Sequence, residues 1–491
     1  MPPTQIIIFG ASGDLTARKL IPALVGNAHE GAFHNPIQII GVARREKSNP
    51  RWREELSRWL PDRHRSAWET LAPNVHYTRG SVLSTDFLSE LSAKLDSLAG
   101  GTNPGRVFYL ALKPSLFAPV IEGLSAAGML QCPPGAEEGW RRVVVEKPFG
   151  TDLASAVALN RVLLAHLREE QIFRIDHYLG KETVQNILAF RFQNAIFEPL
   201  WNREHVESVE ISVCEEVGME GGRGGYYDTA GALRDMVQNH VLQVLALIAM
   251  EPPSSMAADA VRNEKVKVLS SLRIPTAAEV ARDVVRGQYL ASESRENGYL
   301  EEEGVPADST TETYVAIRAG INNWRWNGVP FFLRTGKCLH QRYTEVILRF
   351  RVPPIDLLGG PVQGDVCAMR PNTLHLLIQP HEQIKLDFLV KQPGPGSMMR
   401  AASLKFDYRD IQTGPTAPAY QRLLLDAIEG NATLFIRGDE TEAAWRFADA
   451  IRAGWAESGA EPIHGYPAGG DGPEVANSLF RGCEGIWGRG R

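Results

Sequence analysis

A short apolar run, QIIIF (Gln5–Phe9), passes directly into GASGDLT (Gly10–Thr16), and few folds accept that junction. Four consecutive bulky residues, Ile6 to Phe9, fit a strand buried on both faces, and SGDLTARKLIPALVG after them reads as a helix. The pattern recurs. IQIIGVA (Ile37–Ala43) precedes the charged helical stretch RWREELSRWL, and RVFYLAL and RRVVVEKP read as later strands. Short buried strands alternating with helices predict a parallel sheet with crossover connections.

That arrangement is a Rossmann-type domain, which we place at residues 1–175. A chain of 491 residues exceeds one core, and the remainder has a different rhythm. ETVQNILAFRFQNAIFEPLWN and ALRDMVQNHVLQVLALIAM space their apolar residues near a helical period. Between and beyond them the period is two: Val209, Ile211 and Val213; Val315, Ile317, Ala319 and Ile321; Leu374, Leu376 and Ile378; Ile384, Leu386, Phe388 and Val390. Alternating strands without intervening helices predict a large, mainly antiparallel sheet with one face covered by the two helices. Residues 176–491 are thus expected to form an α+β domain; sheet-containing second domains often pair in dimers, so substrate binding and subunit pairing are assigned to this one as an expectation.

Composition narrows the function. A net charge of −6 argues against nucleic acid or an anionic membrane as the main partner, so an anionic ligand needs local Lys and Arg clusters. No apolar stretch reaches the roughly 18 residues of a membrane span. The N-terminal MPPTQIIIFG lacks the basic start of a signal peptide. Five scattered cysteines, Cys132, Cys214, Cys338, Cys367 and Cys483, form no C-x-x-C pair, which suits a reducing cytoplasm and excludes a cysteine zinc site. No metal is expected.

Three clusters carry chemistry. In Gly10–Thr16, Gly10 and Gly13 would let a pyrophosphate approach the backbone at a helix N-terminus, and Ser12 and Thr16 add hydroxyl donors. The second strand ends GVARRE, with Arg44 and Arg45 where an NAD-selective fold carries an acid; two guanidiniums there favour NADP, and Glu46 leaves NAD use open. VVVEKPFG puts Lys147 at the carboxyl end of a strand, and the following Pro148 tolerates a cis bond.

RIDHYLGKE (Arg174–Glu182) is the second cluster. His177, Tyr178 and Lys181 offer imidazole, phenol and ammonium donors around a bend at Gly180, a set suited to a phosphate monoester, while Asp176 accepts only. In the third, His240 shares a helical face with Val237 and Val244 and follows Asp235, Gln238 and Asn239. Buried polar groups need partners, and an Asp–His pair makes a general base near neutral pH. FLRTGKCLHQR adds Lys337 and Arg342 about a glycine turn; alone, they read as surface residues.

RIDHYLGKE, with GASGDL and EKPFG upstream and GRGGYYD and RDMVQNH downstream, closely resembles the glucose-6-phosphate dehydrogenase family, over nearly the whole chain to YPAGGDGPE. The resemblance implies roles residue by residue. Gly10, Ala11, Ser12, Gly13, Asp14, Leu15, Thr16 and Ala17 look like the coenzyme phosphate loop, and Arg44 like the reader of the 2′-phosphate. Lys147 is similar to a lysine touching coenzyme and sugar. His177, Tyr178 and Lys181 resemble the sugar-phosphate clamp, Glu216 and Asp235 the acids binding sugar hydroxyls, and Lys337, Arg342 and Gln379 further substrate contacts. His240 resembles the base and Asp176 its orienting partner. The implied reaction takes glucose 6-phosphate and NADP, in a homodimer or homotetramer. Lys113, Phe117 and Asp471 depart from the family pattern. Tyr343 and Leu377 stand where animal members bind a second coenzyme with basic residues, so none is expected here.

Two other readings stay open on the residues. One is an oxidoreductase of an unphosphorylated sugar, similar to the glucose–fructose oxidoreductase type, which shares a Rossmann domain, an EKP motif and an open sheet but lacks the phosphate clamp. The other is a non-catalytic sensor of NADPH, which needs no base.

Overall fold

The computed structural model describes residues 3–132, 138–220, 222–355, 357, 370–411, 417–457, 462–481 and 487. The chain forms two compact units, one of residues 1–182, 253–263 and 417–442, the other of residues 183–252, 264–416 and 443–491. Cys367 and Cys483 lie outside the described residues.

The first unit is built on a seven-stranded sheet. Six strands, β1 (Thr4–Phe9), β2 (Ile37–Ala43), β3 (Val75–Arg79), β4 (Arg106–Leu110), β5 (Arg141–Val145) and β6 (Ile172–Ile175), run parallel in the order β6-β5-β4-β1-β2-β3. Ile6 to Phe9 are all at most 1% exposed, and each such side chain contributes about 1.5–3 kcal/mol through burial. The strand order reverses at β1, which pairs with β2 on one side and β4 on the other. Ligands bind outside the carboxyl ends of strands at such a point.

A late stretch completes this unit. The two-residue strand Phe435–Ile436 adds antiparallel to β6. The helix Ala419–Glu429 packs so closely on the helix Ile21–His29 that a Cβ at Gly26 would lie 2.6 Å from Gln421 Oε1. Asn27 donates to the Gln421 carbonyl (2.8 Å), and Arg142 donates to the Ala427 carbonyl (3.1 Å).

The second unit carries a nine-stranded sheet. Its strands are β7 (Val206–Cys214), β8 (Val284–Leu290), β9 (Tyr314–Gly320), β10 (Pro330–Gly336), β11 (Tyr343–Phe350), β12 (Thr373–Gln379), β13 (Gln383–Lys391) and β14 (Met399–Asp407), with the short strand His464–Pro467 beside β8. The order is β14-β13-β12-β11-β7-β10-β9-β8, antiparallel except where β7 meets β10 and β8 meets His464–Pro467. Val209, Ile211 and Val213 line one face with Phe331, Leu333, Val346 and Leu348. The wholly buried helix Leu242–Ala249 is tied into this unit by Arg191, Trp201 and Trp326, which donate to the carbonyls of Leu247, Ile248 and Ala249.

Period-two alternation leaves the other face polar, yet at the sheet centre it is buried too. Arg334 (2% exposed) donates to Ser212 Oγ (3.2 Å) and the Asp471 carbonyl (3.3 Å), and it hydrogen-bonds the Tyr343 hydroxyl. The Trp487 ring stacks over its guanidinium at 4.9 Å, and Phe480 packs on Phe332 (4.4 Å). The C-terminal segment thus covers the middle of the second face.

Candidate active site

In the first unit the candidate residues lie along one edge of the parallel sheet. Register aligns Phe9 with Val42 and Leu110, Leu110 with Val145, and Val145 with Arg174. Gly10, the Arg44–Arg45 pair, Lys147 and Asp176 therefore follow the carboxyl ends of four strands. Gly10 takes φ +87°, and a Cβ there would sit 2.0 Å from the Ala111 carbonyl oxygen, so only glycine fits. Gly13 donates back to the Gly10 carbonyl (2.9 Å), and Thr16 is buried with its hydroxyl 3.4 Å from the same oxygen. Ser12 and Leu15 are half-buried, Gly13 and Asp14 exposed.

This loop floors a cavity of about 520 Å³. Ala11 to Asp14 and Ala17 line it together with Arg45, Lys47, Glu55 and the indoles of Trp52 and Trp59. Arg45 and Lys47, rather than Arg44, reach its wall. Trp52 is fixed by an N–H donated to the Ala11 carbonyl (3.3 Å) and by its ring against Tyr77 (5.3 Å). The Glu55 carboxyl is held below its ordinary range, first by the hydrogen bond from Lys47. Glu46, the acid that follows the arginines, pairs with Arg79 at 3.0 Å and does not line the cavity.

The Lys147–Pro148 bond is cis. The preceding Glu146 (8% exposed) accepts from the Tyr420 hydroxyl (3.1 Å) and from Tyr109; burial pushes its carboxyl up despite these donors. Arg174 is a structural member of its motif, buried and bonded to Glu169 (2.6 Å) and Asn160 (3.0 Å). Asp176 (1% exposed) accepts the Tyr178 N–H (2.9 Å) and so shapes the turn. Lys181 Nζ lies 3.4 Å from the Tyr178 ring centroid, and the His177 ring stacks on Tyr420 at 6.4 Å. His177, Tyr178 and Lys181 thus sit in one turn. Gly180 is required for closeness more than for bending: a Cβ would lie 2.8 Å from the Ala419 carbonyl oxygen.

In the second unit the candidates again gather at one edge. Cys214 pairs with Gly336 and Tyr343, Gly336 with Tyr314, and Thr344 with Gln379. Glu215, Lys337, Arg342 and Gln379 therefore flank one end of neighbouring strands. Lys337 forms an ion pair with Glu215, and its Nζ lies 5.4 Å from the Tyr227 ring. Its N–H donates to the Thr313 carbonyl (2.9 Å), and its own carbonyl accepts from Tyr466 (2.7 Å). Glu216 is exposed, so of the acidic doublet the structure puts Glu215 against Lys337. Arg342 is exposed, and Gln379 donates to Thr344 Oγ1 (3.0 Å). Tyr227, not singled out from sequence, has a buried hydroxyl raised well above its ordinary pKa, by desolvation and then by Asp235.

His240 (1% exposed) and Asp235 occupy Leu233–Val241, which winds with wide π-type turns before continuing as the α-helix Leu242–Ala249. Such turns bond i to i+5, which brings residues five apart, such as Asp235 and His240, nearer to one face than an α-helix would. Glu312, also unseen from sequence, holds the start of this helix: its carboxylate accepts the Leu233 N–H (2.9 Å) and its carbonyl the Ala232 N–H (2.9 Å). Of the positions that depart from the family pattern, Phe117 is fully buried, Lys113 exposed, and Asp471 pairs with His340 at 2.8 Å. Tyr343 and Leu377 are both buried.

Comparison with known proteins agrees over the whole length. The family model for the glucose-6-phosphate dehydrogenase NAD binding domain matches residues 7–186, and that for the glucose-6-phosphate dehydrogenase C-terminal domain matches residues 188–488. A glucose-6-phosphate 1-dehydrogenase of Rhizobium meliloti (strain 1021) is 44% identical over 97% of this chain and 96% of its own. That of Aggregatibacter actinomycetemcomitans is 42% identical over 99% and 97%. A solved glucose-6-phosphate dehydrogenase in complex with its substrate glucose-6-phosphate superposes with a TM-score of 0.88 at 35% identity, covering 98% of both chains. The chain belongs to the glucose-6-phosphate dehydrogenase family.

Proposed function

We propose that this chain oxidises β-D-glucose 6-phosphate at C1 to 6-phosphoglucono-δ-lactone, the first oxidative step of the pentose phosphate pathway, with NADP as its main coenzyme and NAD as a secondary one. Kinship at 42–44% identity over at least 97% of the chain carries this reading. Residues 1–175 serve the coenzyme and 176–491 the substrate and subunit contact. The protein works as a homodimer or homotetramer in the cytoplasm; the buried thiols of Cys214 and Cys338 suit a reducing compartment, and no helix among the described residues is long and apolar enough to cross a membrane.

The loop Gly10–Ala17 fits a dinucleotide. Its glycines admit close backbone approach, and Arg45 and Lys47 supply positive charge at the cavity wall. Bound there, NADP would supply a hydride acceptor. His240 takes the proton from the C1 hydroxyl, with Asp176 orienting the imidazole. Glu215 and Asp235 accept hydrogen bonds from sugar hydroxyls. His177, Tyr178 and Lys181 hold the phosphate, so that binding energy at one end of the sugar aligns C1 at the other. Lys147, Lys337, Arg342 and Gln379 complete the contacts.

Initial rates of coenzyme reduction with glucose 6-phosphate and with glucose decide between readings. Turnover confined to the phosphate ester is expected. Equal rates on both sugars would return the unphosphorylated-sugar reading, and coenzyme binding without turnover the sensor. His240→Asn should lower kcat by about a thousandfold while leaving glucose 6-phosphate binding intact. Retention of most of the rate would remove His240 as the base.

A further inference from the structure

An acid and a base share the wall of the coenzyme cavity without an evident structural need to face it. Lys47 follows β2, and Glu55 lies one helix later, on Asn49–Ser57. Their side chains pair directly, 13% and 32% exposed, and both line the cavity floored by Ser12, Gly13 and Asp14. Arg51 Nε lies 3.3 Å from the other Glu55 oxygen. The acid next to the arginines in sequence, Glu46, is engaged with Arg79. Asp14, which also lines the cavity, belongs to the loop at its floor and lies 3.8 Å from Arg18, which leaves Glu55 as the carboxylate on the wall beside Arg45 and Lys47.

We infer that the Lys47–Glu55 pair sets the selectivity between dinucleotides with and without a 2′-phosphate. The inference rests on the coenzyme reading above. A carboxylate accepts a hydrogen bond from a 2′-hydroxyl but repels a 2′-phosphate, whereas an ammonium does the reverse. Joined as an ion pair, each group blunts the other. A 2′-phosphate must draw Lys47 from Glu55 and tolerate the carboxylate; a 2′-hydroxyl meets Glu55 with Lys47 already satisfied. The pair lets one cavity take either coenzyme, with Arg45 beside it tilting the balance to the phosphate.

The two halves of the pair predict opposite shifts. A salt bridge that merely fastens the helix would weaken the fold when either partner is lost and leave selectivity unchanged. The test is calorimetric titration of the full-length protein with adenosine 2′,5′-bisphosphate and with adenosine 5′-monophosphate, alongside NADP and NAD. Glu55→Gln should tighten the bisphosphate about fivefold relative to the monophosphate, and Lys47→Gln should weaken it about tenfold. Both contrasts should shrink as salt is raised. Variants that shift both ligands together, or that leave the ratio within about twofold, overturn the assignment alone. Failure of the unaltered protein to bind NADP or NAD overturns the coenzyme reading, and this assignment with it.

Discussion

Glu215 and Glu216 are chemically identical neighbours with different surroundings. The Glu215 N–H donates to the Gly336 carbonyl (3.0 Å), which continues the β7–β10 ladder one residue past Cys214 and turns that side chain toward Lys337. Glu216 falls beyond the ladder and is exposed. Glu215→Gln should raise KM for glucose 6-phosphate about tenfold, since a charged acceptor is lost from a partly buried pair, while Glu216→Gln stays within about twofold. Steady-state kinetics of the two variants check the assignment, and the reverse order would hand the role to Glu216. The family resemblance pointed to Glu216 and passed over Glu215, because one residue of register flips a side chain to the other face and the sequence does not show where the ladder ends. His177, Tyr178 and Lys181 were readable for the opposite reason: they lie within five positions, so a single turn gathers them. Lys47 and Glu55 left no such mark; as i and i+8 across a strand-to-helix turn they look like ordinary surface charge.

The helix Leu233–Val241 is anchored by Glu312 rather than by a residue of its own, for its N-cap, Ala232, has no side chain that could accept a hydrogen bond. Gly231 before it takes φ +70°, and a Cβ there would lie 2.4 Å from the Glu312 carboxylate. Glu312→Ala leaves the Leu233 N–H without its acceptor, a loss of about 1–3 kcal/mol, and should lower kcat more than it raises KM for coenzyme. Glu312→Gln keeps the acceptor and should keep the rate. Burial pushes the Glu312 carboxyl above its ordinary 4.5, so folding favours the protonated form. That contribution is complete below 4.5 and fades as pH rises through the folded value, so Glu312→Gln should match the parent in acid and exceed it in stability at neutral pH. Thermal unfolding at both pH values, with kcat for both variants, checks this; equal kinetic damage in both would leave Glu312 without a positioning role. The expected strands at Val209–Val213, Leu374–Ile378 and Ile384–Val390 fall within β7, β12 and β13, and that at Val315–Ile321 overlaps β9 and runs one residue past its end at Gly320, because a half-buried strand writes its period into its sequence. Arg334 writes nothing comparable. A buried arginine resembles an exposed one until the segment that covers it is known.

At the scale of the molecule, the outer strands of the second sheet leave apolar side chains open. Leu404 is 63% exposed and Ile411 67%, with Phe406 between them and Ile196 nearby at 72%. Such a patch supports the homo-oligomer proposed above. Leu404→Lys combined with Phe406→Lys should shift the protein toward monomer in analytical ultracentrifugation without altering Tm by more than a few degrees; unchanged sedimentation would place the subunit contact elsewhere.

The helix Ala419–Glu429 and the strand Phe435–Ile436 also bear on how the protein is made. A nascent chain leaving the ribosome exposes β1 to β6 long before Tyr420 can reach Glu146 or Arg142 can find the Ala427 carbonyl. The amino-terminal sheet must therefore wait, with one edge unprotected, for most of the message to be translated. The other sheet waits longer, until Asp471 and Trp487 arrive to close over Arg334. Truncated translation products of this protein should consequently be clients of chaperones, even when they contain all of β1 to β6.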